Sequence, residues 1–297
     1  MRLLTSFNGF ATAMAGGLLA TTAAAQQSLE IVGRPTDKYV GFQPAATELA
    51  REIHSLDYML LVIITVITVF VTGLLLYAAY RYSAKRNPTP STFTHNSPLE
   101  VAWTIVPIVI LVFIGAFSLP VLFKQMEVPT ADLVVKVTGN QWYWSYEYPE
   151  TGVAFDSFLI GSGKVLNAEV EAELVAAGYS RDEFLLATDT AMVIPVNKNI
   201  VVQLTGADVI HAWMMPAFGV QSSAVPGRLS ELWFNADREG IYFGQCSALC
   251  GKDHAYMPIT VKVVSQAAYD AWVVKAQGGD VLLGALPTTP VVVAAAD

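Results

Sequence analysis

Cysteine is almost absent from this chain: 297 residues contain two, Cys246 and Cys250, and only four histidines accompany them. A small fold knitted together by several disulfides is therefore excluded. Positive charge is also scarce. Lys and Arg number 17 against 25 Asp and Glu, for a formal net charge of −8, and the basic residues cluster only at Arg81–Arg86, between two hydrophobic stretches. A nucleic-acid surface needs a positive face to neutralise phosphates, so that class has no support. Charged residues make up only 14% of the chain and hydrophobic residues 54%, a balance that points to a membrane portion. No internal repeat is present, which excludes a solenoid.

Arg2, a run of apolar and small residues and the Ala23-Ala24-Ala25 sequence make residues 1–25 an expected secretory signal peptide, cut near Gln26 or Gln27. Residues 26–55 follow as an exported, mostly polar segment with Pro35 and Pro44 and little periodicity. Residues 56–123 are expected to form a transmembrane hairpin, with helices over about 57–81 and 100–123. Tyr58–Tyr80 and Val101–Phe123 carry no charge, about the length that crosses a bilayer core, and neither shows a polar stripe. Pro107 and Pro120 fall inside the second span, and membrane helices tolerate them. Arg81, Lys85 and Arg86 in the connecting loop place it on the cytoplasmic side. The signal peptide independently puts the mature N-terminus outside, so both ends of the hairpin are expected on the exported side.

Residues 124–277 read as β-rich. Segments such as DLVVKVT, QWYWSYEY, NIVVQLTG, RLSELWFN and ITVKVV are short, rich in Val, Ile and aromatics, and separated by Gly, Pro, Asn or Asp, as in a sandwich or Greek-key barrel. Asn167–Gly178 reads as a helical surface insertion, and a terminal helix follows Ser265, a plausible cap. Residues 278–297, rich in Pro, Ala and Val, are expected to be a flexible tail.

The chemistry concentrates in GQCSALCGKDHAYMP, which holds Cys246, Cys250, His254 and Met257, with His211 upstream in DVIHAWMMPAF. Thiolate, imidazole and thioether form a soft ligand set that suits copper and excludes magnesium or calcium at these atoms. Four arrangements compete. A Cys246–Cys250 disulfide would close a small, strained ring. A structural zinc site would use two Cys and two His and leave Met257 as core filler. A mononuclear blue-copper site would leave one thiolate surplus. Two thiolates bridging two coppers, with one His on each and Met257 on one, would use every soft residue in the loop.

The His211 segment, the C-x-x-x-C-x-x-x-H-x-x-M spacing, QWYWSYEYP from Gln141 and FTHNSPLE before the second helix together resemble cytochrome c oxidase subunit II, over nearly the whole chain after the signal peptide. The resemblance implies a bacterial aa3-type oxidase of the inner membrane. It implies a mainly β fold, a two-helix transmembrane hairpin followed by a cupredoxin-like Greek-key β-barrel with a binuclear copper A centre on the periplasmic side. Cys246 and Cys250 would bridge the coppers, and His211, His254, Met257 and the backbone carbonyl of residue 248 would complete the ligands. Oxidase subunits I and III, cytochrome c and membrane lipid would be its partners. Electrons would pass from reduced cytochrome c to haem in subunit I, where oxygen is reduced to water coupled to proton translocation. Nitrous-oxide reductase shares the copper motif but not the hairpin. Quinol oxidase subunits share the hairpin but not the copper ligands. A membrane-tethered copper-delivery protein is the third alternative.

By the same resemblance Trp142 receives the electron, and Glu147, Asp156, Asp189 and Asp208 dock a basic cytochrome c. Glu100 forms the mouth of a proton path, with His95 nearby, and Arg228 faces subunit I. One position departs from the family pattern. Residue 248, normally a glutamate that also binds magnesium or manganese shared with subunit I, is Ala248 here. A methyl group cannot ligate a hard cation, so that second metal site is expected to be weakened or lost.

Overall fold

The computed structural model describes residues 29–161 and 165–281; the expected signal peptide and most of the expected tail lie outside these residues. Two long helices come first, α1 (Glu48–Arg81) and α2 (Ser97–Met126). Both are apolar and long enough to cross a membrane, and their apolar stretches are not covered by the rest of the chain. Asn96 caps α2 in a reciprocal box: Asn96 Oδ1 accepts from Leu99 N at 3.2 Å, and Glu100 Oε1 accepts from Asn96 N at 3.0 Å. Glu100 therefore has a local structural role at the start of α2. At the other end of the hairpin, Lys124 ties the helices together by pairing with Glu48 at 2.9 Å and Glu52 at 2.7 Å. α1 begins several residues before the expected position of about 57. Its first turns carry Glu48, Arg51, Glu52 and Asp57 and rest on the β domain through Leu49 and Ala50, so an uncharged-run criterion does not reach them. His54 lies within this helix, stacked on Phe42 at 4.7 Å.

Two mixed sheets follow. One contains β2 (Leu133–Asn140), β3 (Tyr143–Tyr148), β4 (Val153–Ser157), β6 (Asn199–Gly206) and β9 (Ser230–Asn235) in the order β4-β3-β2-β6-β9. The other runs from β5 (Met192–Pro195) through β11 (Pro258–Val264), β10 (Gly240–Cys246) and β7 (His211–Met215) to β8 (Val220–Ala224). In β2 and β3 buried residues alternate with half-exposed ones, the pattern of strands with one face in a core. Trp144, Tyr146 and Tyr148 from β3 meet Trp213, Phe218, Phe234 and Tyr242 in that core. The expected terminal helix is present as α4 (Gln266–Gln277), capped by Ser265 and buried through Trp272 against Tyr148.

The segment ahead of the helices is more ordered than its composition indicates. Its strand β1 (Ile31–Gly33) pairs in parallel with β10, and a three-residue strand is too short to leave a periodic signal. The expected surface insertion is also present, with α3 (Ala168–Ala176) as its helix. It is more than an appendage. Ile160, Val170, Leu174, Tyr179 and Ala187 form a second core with Ile241 and Phe243 of β10, on the outer face of the second sheet. This cover explains why every residue of β11 is buried.

Lys262 of β11 is caught under the cover. Its residue is 8% exposed, its ammonium sits 5.2 Å from the Tyr179 ring centroid, and burial lowers its pKa from 10.5 to about 8. The folded value lies below the unfolded one, so folding disfavours the charged form. The cost is full below pH 8, shrinks as pH rises towards 10.5, and vanishes above it. Lys262→Met should therefore stabilise the β domain at pH 7 by on the order of 3 kcal/mol, with the gain fading between pH 8 and 10.5. Thermal unfolding of the full chain in detergent, measured across that range by tryptophan fluorescence, checks both the sign and the window.

Candidate metal centre

β7 starts at His211 and β10 ends at Cys246. These strands are antiparallel neighbours, with Cys246 opposite Trp213 and Gln245 opposite Met214, which brings the first histidine to the edge of the β10–β11 loop. That loop supplies Ala248, Cys250, His254 from a short 3-10 turn, and Met257 just before β11.

The sulfurs of Cys246 and Cys250 are 3.9 Å apart, nearly twice a disulfide bond length, and both thiols are free and buried. His211 Nδ1 lies 4.0 Å from Cys246 Sγ, and His254 Nδ1 lies 3.6 Å from Cys250 Sγ. Met257 Sδ is 3.4 Å from Cys250 Sγ, and the Ala248 carbonyl oxygen is 3.3 Å from Cys246 Sγ. All the sequence-predicted ligands are thus gathered in one place. Among the described residues, His211, Cys246 and Cys250 present ligand atoms all within 4.8 Å of one another. Two metal–thiolate bonds of about 2.3 Å each can span the sulfur separation, so the residues fit a metal held between the cysteines.

The electrostatics point the same way. Burial raises both thiols, but hydrogen bonding with His211 and with the Ala212 and Ala248 backbone brings Cys246 below the ordinary thiol value. Burial and the neighbouring Cys246 thiolate push Cys250 up. Two thiolates this close oppose each other's ionisation unless a cation lies between them, and metal binding therefore goes with proton release.

The supports around the ligands are built from the core and the neighbouring loops. His211 Nε2 lies 2.8 Å from Asp208 Oδ1, an arrangement that puts the proton on Nε2 and leaves Nδ1 free to ligate. Asp208 also accepts from Gln141 N at 2.8 Å and Val209 N at 2.6 Å. The Cys250 carbonyl accepts from Gln141 Nε2 at 2.8 Å and from Trp142 Nε1 at 3.3 Å. Trp142 is thus a half-buried ring joined directly to the backbone of Cys250. Trp144 donates from Nε1 to the Met257 carbonyl at 3.2 Å, and its ring meets His211 edge-on at 5.9 Å. Gln141 and Trp144 were missed as site residues. The only signal was local: the period of β3 turns Trp144 inward to the core, and Gln141 adjoins Trp142 in the turn before it. Gly251 holds a φ of 130°, a backbone conformation that strains any other residue, and a Cβ there would stand 3.0 Å from the Trp142 ring, so the turn and the close indole both favour glycine.

The predicted docking acids have distinct surroundings. Glu147 pairs with Lys136 at 2.7 Å. Asp156 accepts from Ser145 Oγ at 2.6 Å, and Ser145 and Glu147 share the outward face of β3. Asp189 accepts from Phe158 N and Thr190 N at 2.8 and 2.7 Å and so organises the start of the insertion. Asp208 is committed to His211. Arg228 is exposed in the turn after β8, and exposed His95 precedes the α2 cap. Glu100 lies at the opposite end of α2 from the β domain, about 39 Å from Met126 along the helix at 1.5 Å per residue.

Comparison with known proteins decides the family. The descriptions "Cytochrome C oxidase subunit II, transmembrane domain" and "periplasmic domain" match residues 35–121 and 133–264. A cytochrome c oxidase subunit 2 of Cereibacter sphaeroides is 64% identical over 297 residues, covering 98% of each chain. The chain belongs to the cytochrome c oxidase subunit II family. A probable subunit 2 of Rickettsia bellii is 40% identical over 80% of this chain and 84% of its own. The solved periplasmic domain of subunit II of cytochrome oxidase from Bradyrhizobium japonicum is 47% identical, covers 52% of this chain and 99% of its own, and gives a TM-score of 0.45. Within this family the two sheets are a mainly β, cupredoxin-like fold, the helices make it a membrane protein with a soluble domain, and the His–Cys–Cys cluster is a copper-binding type of site.

Removing the carboxylate that orients His211 should weaken the site without dismantling it. Asp208→Ala is expected to lower copper affinity ten- to a hundredfold, measured by chelator competition against the thiolate-to-copper absorption, with the circular dichroism of the β domain unchanged.

Proposed function

We propose that this chain is the electron-accepting subunit of a bacterial cytochrome c oxidase, and that its site holds two copper ions sharing the thiolates of Cys246 and Cys250. The convergence of all six donors carries this reading. A zinc site would leave Met257 and the Ala248 carbonyl without a purpose, and a mononuclear copper site would leave one thiolate over. His211 and His254 approach different sulfurs, 4.0 and 3.6 Å away, as one imidazole per metal would require. When bound, the copper pair supplies a one-electron carrier whose charge is spread over both metals and their bridging sulfurs. The protein's part is to keep the ligands still. The loop is fastened to the core through Trp144, and to Gln141 and Trp142 through the Cys250 carbonyl, so little rearranges when the charge changes.

Trp142 is the proposed point of electron uptake: its indole N–H is bonded to the backbone of a bridging cysteine, and its ring is part-exposed. Electrons would go on to haem in subunit I, where oxygen reduction and most proton translocation would take place, with Glu100 at the mouth of a proton path. Subunit III and membrane lipid complete the proposed surroundings. The basic loop between the helices supports a cytoplasmic hairpin tip and a periplasmic copper domain. Ala248 offers a carbonyl to copper but no carboxylate to a hard cation, so the magnesium or manganese site shared with subunit I would be weakened.

Three measurements test the reading. Metal analysis of the purified complex should find two coppers in this subunit, with an EPR hyperfine pattern from both nuclei. One metal per chain, or a Cys246–Cys250 disulfide in the active enzyme, refutes it. Manganese EPR of the complex purified from cells grown with manganese should show little bound ion, whereas tight, full occupancy contradicts the role assigned to Ala248. Glu147 and Asp156 are cleaner probes of docking than Asp208, which is committed to His211. Glu147→Gln with Asp156→Asn should slow oxidation of cytochrome c most at low ionic strength, and a salt-independent loss would point to damage to the fold.

A further inference from the structure

Strand β7 has His211 at one end, and at the other it runs straight into the turn Pro216–Phe218. That turn is fastened to the beginning of α1. Ala46 N donates to Ala217 O at 2.8 Å. The Thr47 hydroxyl donates to Phe218 O at 2.8 Å and accepts from Ala50 N at 2.9 Å, so one buried oxygen both caps the helix and holds the turn. Gly219, at a φ of 69°, lets the backbones touch: a Cβ there would lie 2.8 Å from Ala50 Cα. On its other side the turn is locked to both sheets, with Phe218 stacked on Phe234 at 4.6 Å and tilted against Tyr242 at 4.8 Å. Asp237 N donates to Ala46 O at 3.0 Å, and Arg51 pairs with Asp237 at 2.6 Å.

The helices are also joined to the sheets by the short connector, residues 127–132, from α2 to β2, by the chain from β1 to α1, and by Val121 of α2, which packs on the core. Covalent connectors and a few side-chain contacts leave a domain free to swivel. Packed backbone with a buried hydrogen bond removes that freedom. We propose that Thr47 is a positioning residue whose hydroxyl latches α1 to the far end of β7, and so fixes the orientation of the metal site relative to the membrane hairpin. The consequence for electron transfer rests on the copper reading above. The latch itself does not.

The test measures orientation directly. In full-length chain carrying Cys246→Ser and Cys250→Ser, so that labels attach only where intended, nitroxides are placed at Ala84→Cys in the hairpin loop and Glu173→Cys on α3. Double electron–electron resonance should give one narrow distance for the parent and for Thr47→Ser, which keeps the hydroxyl. Thr47→Val, which loses the bond, and Gly219→Ala, which pushes the backbones apart, should each broaden or shift it. Exchange of the Ala50 amide should accelerate about tenfold in Thr47→Val, equivalent to 1.4 kcal/mol at 25 °C. A parental distance distribution in both disrupting variants overturns the proposal, as does a Thr47→Ser chain that behaves like Thr47→Val. In the assembled oxidase, Thr47→Val should leave the copper spectrum unchanged and slow electron transfer out of the centre. Altered distances without that slowing would overturn the consequence for electron transfer and leave the latch standing.

Discussion

The pairing of β7 with β10 is the constraint on which the site depends. It sets the start of one strand beside the end of the other, and so brings His211 to Cys246 across 35 residues of sequence. Everything else in the centre is local to the loop that follows: a spacing of four residues places each sulfur near the next donor, and the loop is short enough to be held by a few bonds to its backbone. These bonds come from strand β3 and its preceding turn, which lie in the opposite sheet. The site therefore exists only where the two sheets close on each other, and its geometry is a property of the whole barrel.

That dependence gives several residues roles that differ from their apparent chemistry. Asp208 is acidic and part-exposed, yet its carboxylate is occupied by His211 and two backbone amides. Glu183 is a carboxylate with no exposed side-chain surface, fixed by Ser180 and by Arg34 at 2.7 Å, so the insertion is tied to the segment ahead of the helices. Trp142 in the β2–β3 turn and Trp144 on β3 are two residues apart, yet one reaches a cysteine backbone from outside and the other a methionine backbone from within.

Much of this was legible from residues alone where the signal is local. The uncharged runs marked both helices, the alternation in QWYWSYEY marked a strand, and the C-x-x-x-C-x-x-x-H-x-x-M spacing marked a cluster of soft donors because one loop carries most of them. What was not legible depends on contacts distant in sequence. The first turns of α1 carry the charges of a surface helix, and only their seat on the turn after β7 reveals them as the start of a long one. β1 has three residues and no pattern of its own. Lys262 reads as the polar position of an alternating strand, and it is buried because a segment 70 or more residues earlier folds over it. The service of Asp208 to His211 could have been read from a spacing of three residues, but only a structure shows that the side chains meet.

The placement of β1 has a consequence for how the chain is made. Ile31 and Gly33 pair with Ile241 and Tyr242, so a strand near the front of the described chain finds its partner about 210 residues later. Synthesis delivers the front end first, and contacts of such long separation form slowly. The leading segment must wait, unpaired, while both helices are threaded into the bilayer and nearly the whole barrel emerges. Its docking is then among the last events of assembly, and Arg34 finds Glu183 only once the insertion has been laid down.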